Sequence, residues 1–141
     1  MTAQNQWSAM ADALVTGSQQ AVKKTAFDIQ SGYISRAPRD SGFLVNSCYV
    51  VTSDSSTYGQ GSSPPGGSFL LPLADEASDV ANDADGTTAV VGVGANYGVY
   101  VELGTRFMNA QPAFIPSVEK ANDSFQDAIS QINDRWQELG L

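Results

Sequence analysis

Fifteen carboxylates, seven basic side chains, one cysteine and no histidine are what this 141-residue chain has to do chemistry with. The lack of histidine removes the commonest general base and the commonest metal ligand. Neither a Ser–His nor a Cys–His nucleophile pair can form. A glycosidase-type mechanism needs two carboxylates at a defined separation, and nothing singles out two of the fifteen. Asp83 to Thr87, "DADGT", resembles the middle of a calcium loop, but the first and twelfth ligand positions hold Ala81 and Gly92, which excludes an EF-hand. Gly92 and Gly94 lack the third glycine of a dinucleotide fingerprint. The residues therefore point to no catalysis and no cofactor, with a small acidic calcium- or ligand-binding module as the alternative. A net charge of −8 argues against phosphate-driven nucleic-acid binding.

Two groups of acids carry information. Glu102 lies between Val101 and Leu103, where a carboxylate must be paired or hydrogen-bonded because bare burial is costly. Its expected partners are the backbone N–H groups near Gly104–Thr105 and the guanidinium of Arg106, Arg36 or Arg39. Gly98 and Gly104 allow positive φ or close approach, and Pro116 suits the first position of a following helix. The second group is Asp75, Glu76, Asp79, Asp83 and Asp85, five acids without one intervening base. Against a partner they would need basic groups opposite, so the expectation is a solvated face.

The elements that must position these groups follow from periodicity. Residues 4 to 35 contain no proline and space Trp7, Met10, Leu14, Ala21, Val22, Ile29 and Tyr33 as an amphipathic helix. The stripe is weak around Gly17 and Ser18, a place for a kink or break, and Gly32 and Pro38 supply stop signals. Phe43 to Thr52 is rich in β-branched and aromatic residues and reads as a central strand covered on both faces. Cys48 within it is a small buried hydrophobe. Ser53 to Gly67 is a long Ser-, Gly- and Pro-rich loop. Ser68 to Leu73 is an edge strand or strand end, limited by Pro72. The acidic segment, about 74–86, is a loop. Thr87 to Ala95 is a strand paired with what precedes it, with Gly92 and Gly94 marking close approach by a helix or another chain. Pro116 to Leu139 is a second helix, striped by Val118, Ala121, Phe125, Ala128, Ile129, Ile132, Trp136 and Leu139 and ended by Gly140. This is one α+β domain over residues 1–141: a small, mainly antiparallel sheet packed against long N-terminal and C-terminal helices. No run of 18 apolar residues occurs, and the first residues lack a signal peptide's basic and apolar regions. A soluble cytoplasmic protein is the default expectation. Only 16% of the residues are charged, against about 25% typically, which suits a surface partly covered by partners.

Two stretches resemble a known family. "YGVYVELGT" at 97–105, followed by "QPAFIPSVEKA" at 111–121, is similar to the signature of head–tail connection proteins of tailed bacteriophages, the neck or tail-completion components. "APRDSGFLVNS" at 37–47 resembles the same family's upstream pattern. Ser41, Gly98 and Phe43 depart from the usual Thr, Ala and Arg, and Ala113 intervenes between Pro112 and Phe114. The resemblance marks Pro38, Asp40, Gly42, Leu44, Ser47, Tyr97, Tyr100, Glu102, Gly104, Thr105, Gln111, Pro112, Phe114 and Pro116 as motif or interface candidates. It implies a structural subunit of a closed ring of six or twelve copies that joins capsid to tail in the virion. The implied partners are an adjacent neck or head-closure protein and a tail terminator or tail tube. DNA would pass without specific binding, and the five acids would be candidates for the channel wall or the outer surface. A tail terminator or other tail component is the neighbouring alternative.

Overall fold

The structure is a computed structural model that describes residues 3–39, 42–60, 64–73, 75–82 and 86–138. Asp40, Asp83, Asp85, Leu139, Gly140 and the Trp136 side chain lie outside the described residues. The elements run α1 (Ala3–Arg36), α2 (Phe43–Asn46), β1 (Cys48–Val51), α3 (Asp75–Ala81), β2 (Val90–Val93), α4 (Gly98–Leu103) and α5 (Phe114–Glu138). The α+β class holds: two long helices pack on each other and on a two-stranded antiparallel sheet.

α1 runs unbroken through Gly17 and Gly32. Both glycines are there for packing. A Cβ on Gly17 would stand 3.1 Å from Ile132 of α5, and one on Gly32 would stand 3.0 Å from the Ser117 hydroxyl. The helical cost of glycine, about 1 kcal/mol each, is offset by the close approach of α5. α1 is covered on two sides, by α5 and by the sheet, which is why its apolar stripe is diffuse in the sequence. It stops at Arg36, before Pro38, since the residue preceding proline is pushed out of helical geometry.

The expected strand from Phe43 to Thr52 divides in two. Gly42 adopts φ 84° and opens one helical turn, with Phe43, Leu44 and Val45 all buried. The Ser47 hydroxyl donates to the Leu44 carbonyl at 2.7 Å and closes the turn. Three consecutive apolar side chains can all point into surrounding core from such a turn, so packing overrides β-propensity. Only Cys48 to Val51 is strand, and it is buried on both faces as expected. Cys48 joins the core around Tyr33 of α1, Phe43 and Leu44. Tyr49 and Val51 point the other way, onto Ala77 and Val80 of α3.

β2 pairs with β1, from Cys48↔Val93 to Val51↔Val90, and not with the segment just before it. Ser68 to Leu73 contributes one bridge, Leu70↔Ala95, and no strand. Gly92 and Gly94 do mark close approach, but by side chains of the same chain. Cβ atoms there would stand 2.5 Å from the Tyr49 hydroxyl and 2.8 Å from Leu70. The acidic segment is not simply a loop. Asp75 to Ala81 form α3, with Ala77 and Val80 buried and Asp75 and Glu76 in the first turn, where the helix dipole favours negative charge. The described part of the Ser- and Gly-rich loop is tied down at its start: Thr57 exchanges hydrogen bonds with Val50, and Lys23 pairs with Asp54.

Burial pushes the Cys48 thiol up to about 12. Above a thiol's ordinary value the unfolded chain sheds this proton before the folded one does, so stability contributed by burying the neutral thiol falls as pH rises towards 12. At pH 8 the expected outcome is that Cys48 is inert to a disulfide reagent in the native protein and reacts stoichiometrically in denaturant. Rapid native labelling, timed by absorbance, would contradict the buried placement.

Candidate functional site

The segment from Tyr97 to Pro116 is built outward from the core. The Tyr97 ring packs on Phe43 at 6.1 Å. Gly98 lies so close to β2 that a Cβ would stand 3.0 Å from Val93, with Leu44 next at 3.6 Å. The two sequence motifs, 37–47 and 97–116, therefore meet in one cluster. α4 is six residues long and can bury only one face. Gly98 and Val101 point inward, while Val99, Tyr100 and Leu103 point out.

Gly104 ends α4 at φ 80°, ψ 169°, a region essentially reserved for glycine. Its N–H donates to the Tyr100 carbonyl at 2.8 Å, and a Cβ would stand 2.7 Å from the Ala110 nitrogen. Residues 105–108 then form a small turn, closed by Thr105 and Met108, that lifts Phe107 to 86% exposure. The Arg106 guanidinium lies over the Phe107 ring at 4.7 Å. The chain returns at Gln111, whose N–H donates to the Val101 carbonyl at 2.8 Å.

Glu102 completes the clamp, and its partners differ from those expected. One carboxylate oxygen accepts the N–H groups of Ala113 at 3.1 Å and Phe114 at 2.7 Å, and the other accepts that of Ile115 at 3.4 Å. These are orphan donors at the start of α5. Ala113, which precedes that helix, has no side chain able to cap them, so Glu102 caps the helix from α4. Neither the Gly104–Thr105 N–H groups nor Arg106, Arg36 or Arg39 is its partner. Tyr33 meets Phe114 edge to face at 6.1 Å and anchors the same helix start on α1. Burial first, then Cys48 and Glu102, pushes the Tyr33 phenol above its usual range. Pro116 is the third residue of α5 rather than the first, still within the turn where a missing N–H costs nothing.

The motif candidates sort by burial. Leu44 and Ser47 are buried framework and are not available to a partner. Tyr97 and Phe114 are half-buried and pack inward; Gly42 and Gly104 set backbone geometry. Tyr100, Thr105, Gln111 and Pro112 are exposed. Asp75, Glu76 and Asp79 are exposed on α3, on the far side of the sheet from this segment's anchor on α1. Sequence reasoning missed Val99, Leu103 and Ile115, which with Tyr100 and Phe107 form an exposed apolar set; Leu103 is 67% exposed. The available signal was four apolar residues among the six of a helix too short to bury them all.

Beside α4 lies a cavity of about 420 Å³, bordered by Tyr33, Val91, Val93, Val99, Leu103 and Phe114. The Glu102 carboxylate on its rim is committed to three N–H donors, so it acts as a cap and is not a free base. Among the described residues no group of three or more His, Cys, Asp or Glu comes together to hold a metal ion, and no helix is long and apolar enough to cross a membrane.

Searches of curated proteins and of solved structures find no match. A family model matches residues 3–104, from α1 through the Gly104 turn, and so includes the 37–47 motif and Glu102 but not Gln111 to Pro116. The chain belongs to the HK97-gp10-like family, described as "Bacteriophage HK97-gp10, putative tail-component".

Proposed function

We propose that this protein is a structural, non-catalytic subunit of the neck or tail-completion ring that joins a phage capsid to its tail. It works in the virion, as a closed ring of six or twelve copies, against an adjacent neck or head-closure protein and a tail terminator or tail tube. The observation that carries this reading is the exposed apolar set Val99, Tyr100, Leu103, Phe107 and Ile115, held on a backbone pinned by Glu102 and Gly104. Large apolar side chains exposed on one short, pinned segment suit a protein contact, because a pre-ordered backbone lowers the ordering cost of binding. The family's description as a tail component also suits a second reading within the same class, a tail-terminator ring.

Leu103→Ser combined with Phe107→Ser tests it. Both side chains are exposed, so the isolated protein should melt within about 0.5 kcal/mol of wild type. In a phage lacking the native gene, complementation with this variant should lower titre by at least about a hundredfold, the scale of losing an interface hot spot, and electron micrographs should show separate heads and tails. Wild-type titre would overturn the reading.

A further inference from the structure

Three of the seven basic side chains, Lys24, Arg36 and Lys120, line a polar trough of about 380 Å³ between α1 and α5. Its walls are small and hydroxylated: Gly32, Ser31 and Ser117 leave room and offer donors. One acid, Asp28, lies in it and pairs with Lys24 at 2.8 Å. Arg36 donates to the neutral Ser117 hydroxyl at 3.1 Å, and Lys120 forms no ion pair among the described residues. The trough therefore keeps a positive excess on a chain whose net charge is −8.

Its direction follows from helix geometry. At 3.6 residues per turn, Lys24, Ser31 and Ser35 fall on the side of α1 away from Ala26, Gln30 and Tyr33. The latter three face the sheet: Gln30 donates to the Cys48 carbonyl at 3.0 Å and Tyr33 packs with Cys48. α3 lies across the sheet, on Tyr49 and Val51, and exposes Asp75, Glu76 and Asp79 with no base on the helix. Positive trough and negative helix thus sit on opposite sides of one molecule.

We infer that copies of this chain associate head to tail, with α3 of one copy against the Lys24–Arg36–Lys120 trough of the next. Two chains of the same strong negative charge repel in most orientations. This docking brings opposite signs together, and complementary charge selects orientation more than it adds affinity. Contacts between two different faces generate rings or filaments, never a closed pair. The acids of α3 would then lie between subunits, with basic groups opposite, rather than on the channel wall. The inference rests on the proposed ring reading and names its subunit contact.

The test is sedimentation of the full chain up to millimolar concentration in about 20 mM salt and again in about 500 mM, where screening is strong. Expected is weak, concentration-dependent association that fades at high salt. Lys24→Glu with Lys120→Glu, or Asp75→Lys with Asp79→Lys, should each weaken it at least about tenfold, and combining all four in one chain should restore it. A mutation-free arm uses carbodiimide, which joins amines to carboxylates only in contact, on mixed light and heavy-nitrogen protein. Links of Lys24 or Lys120 to Asp75, Glu76 or Asp79 between chains are expected. Absence of association at low salt, or interchain links confined to other residues, would overturn the inference. Association through the Leu103–Phe107 face alone would do so while leaving the ring reading standing.

Discussion

Gly104→Val is expected to destabilise the protein by about 3 kcal/mol, the largest effect of any single substitution in the 97–116 segment. Two costs add. An L-residue held at φ 80°, ψ 169° carries backbone strain of about 1–3 kcal/mol. The new Cβ would also meet the Ala110 backbone, with the nitrogen at 2.7 Å and Cα at 3.1 Å. Backbone cannot swing aside as a long side chain can, so overpacking adds about 1–3 kcal/mol. Gly104→Ala should lose most of the same stability, because strain and contact both begin at Cβ. Urea denaturation checks both variants, and a midpoint equal to wild type would show that the turn is built differently.

Glu102→Ala should cost about 2–3 kcal/mol. It strips the charged acceptor from three N–H groups at the start of α5, and hydrogen bonds to charged groups contribute about 1.5–3 kcal/mol while their orphaned donors add a desolvation penalty. Glu102→Gln keeps one acceptor oxygen and loses the charge, so about 1 kcal/mol is expected with the fold intact and assembly weakened. Hydrogen exchange distinguishes this cap from a general loss of stability. Amides of Ala113, Phe114 and Ile115 should exchange faster in Glu102→Gln, while those of β1 should follow only the global change. Equal slowing or acceleration across the chain would mean the carboxylate is not the cap.

The two long helices were legible because proline-free, periodically apolar stretches have few other ways to bury their side chains. Their pairing was not. Gly17 and Gly32 read locally as weak points, and only the approach of Ile132 and Ser117 explains them. The 43–52 stretch failed for a related reason: β-branched composition cannot tell a strand from a buried helical turn followed by a shorter strand, and the closure by Ser47 is local chemistry inside an apolar run. The helix at Asp75 to Ala81 hid behind its charge, although Ala77 and Val80 stand three apart and Asp75 and Glu76 suit a helix start. Glu102 was correctly read as a satisfied carboxylate, yet its partners lie eleven to thirteen residues on, a tertiary fact that spacing does not carry. The exposed apolar set is legible only once α4 is known to be a single short helix with its other face committed to Leu44 and Val93.

The most direct test of the central claim is cryo-electron microscopy of purified phage particles carrying this protein, at a resolution that places side chains in the neck and upper tail. The expected result is the chain there in a closed ring, with Val99, Tyr100, Leu103 and Phe107 buried against another virion protein or a neighbouring copy. A particle that lacks the chain, or holds it with those four side chains in solvent, would rule out a role for this face in the virion.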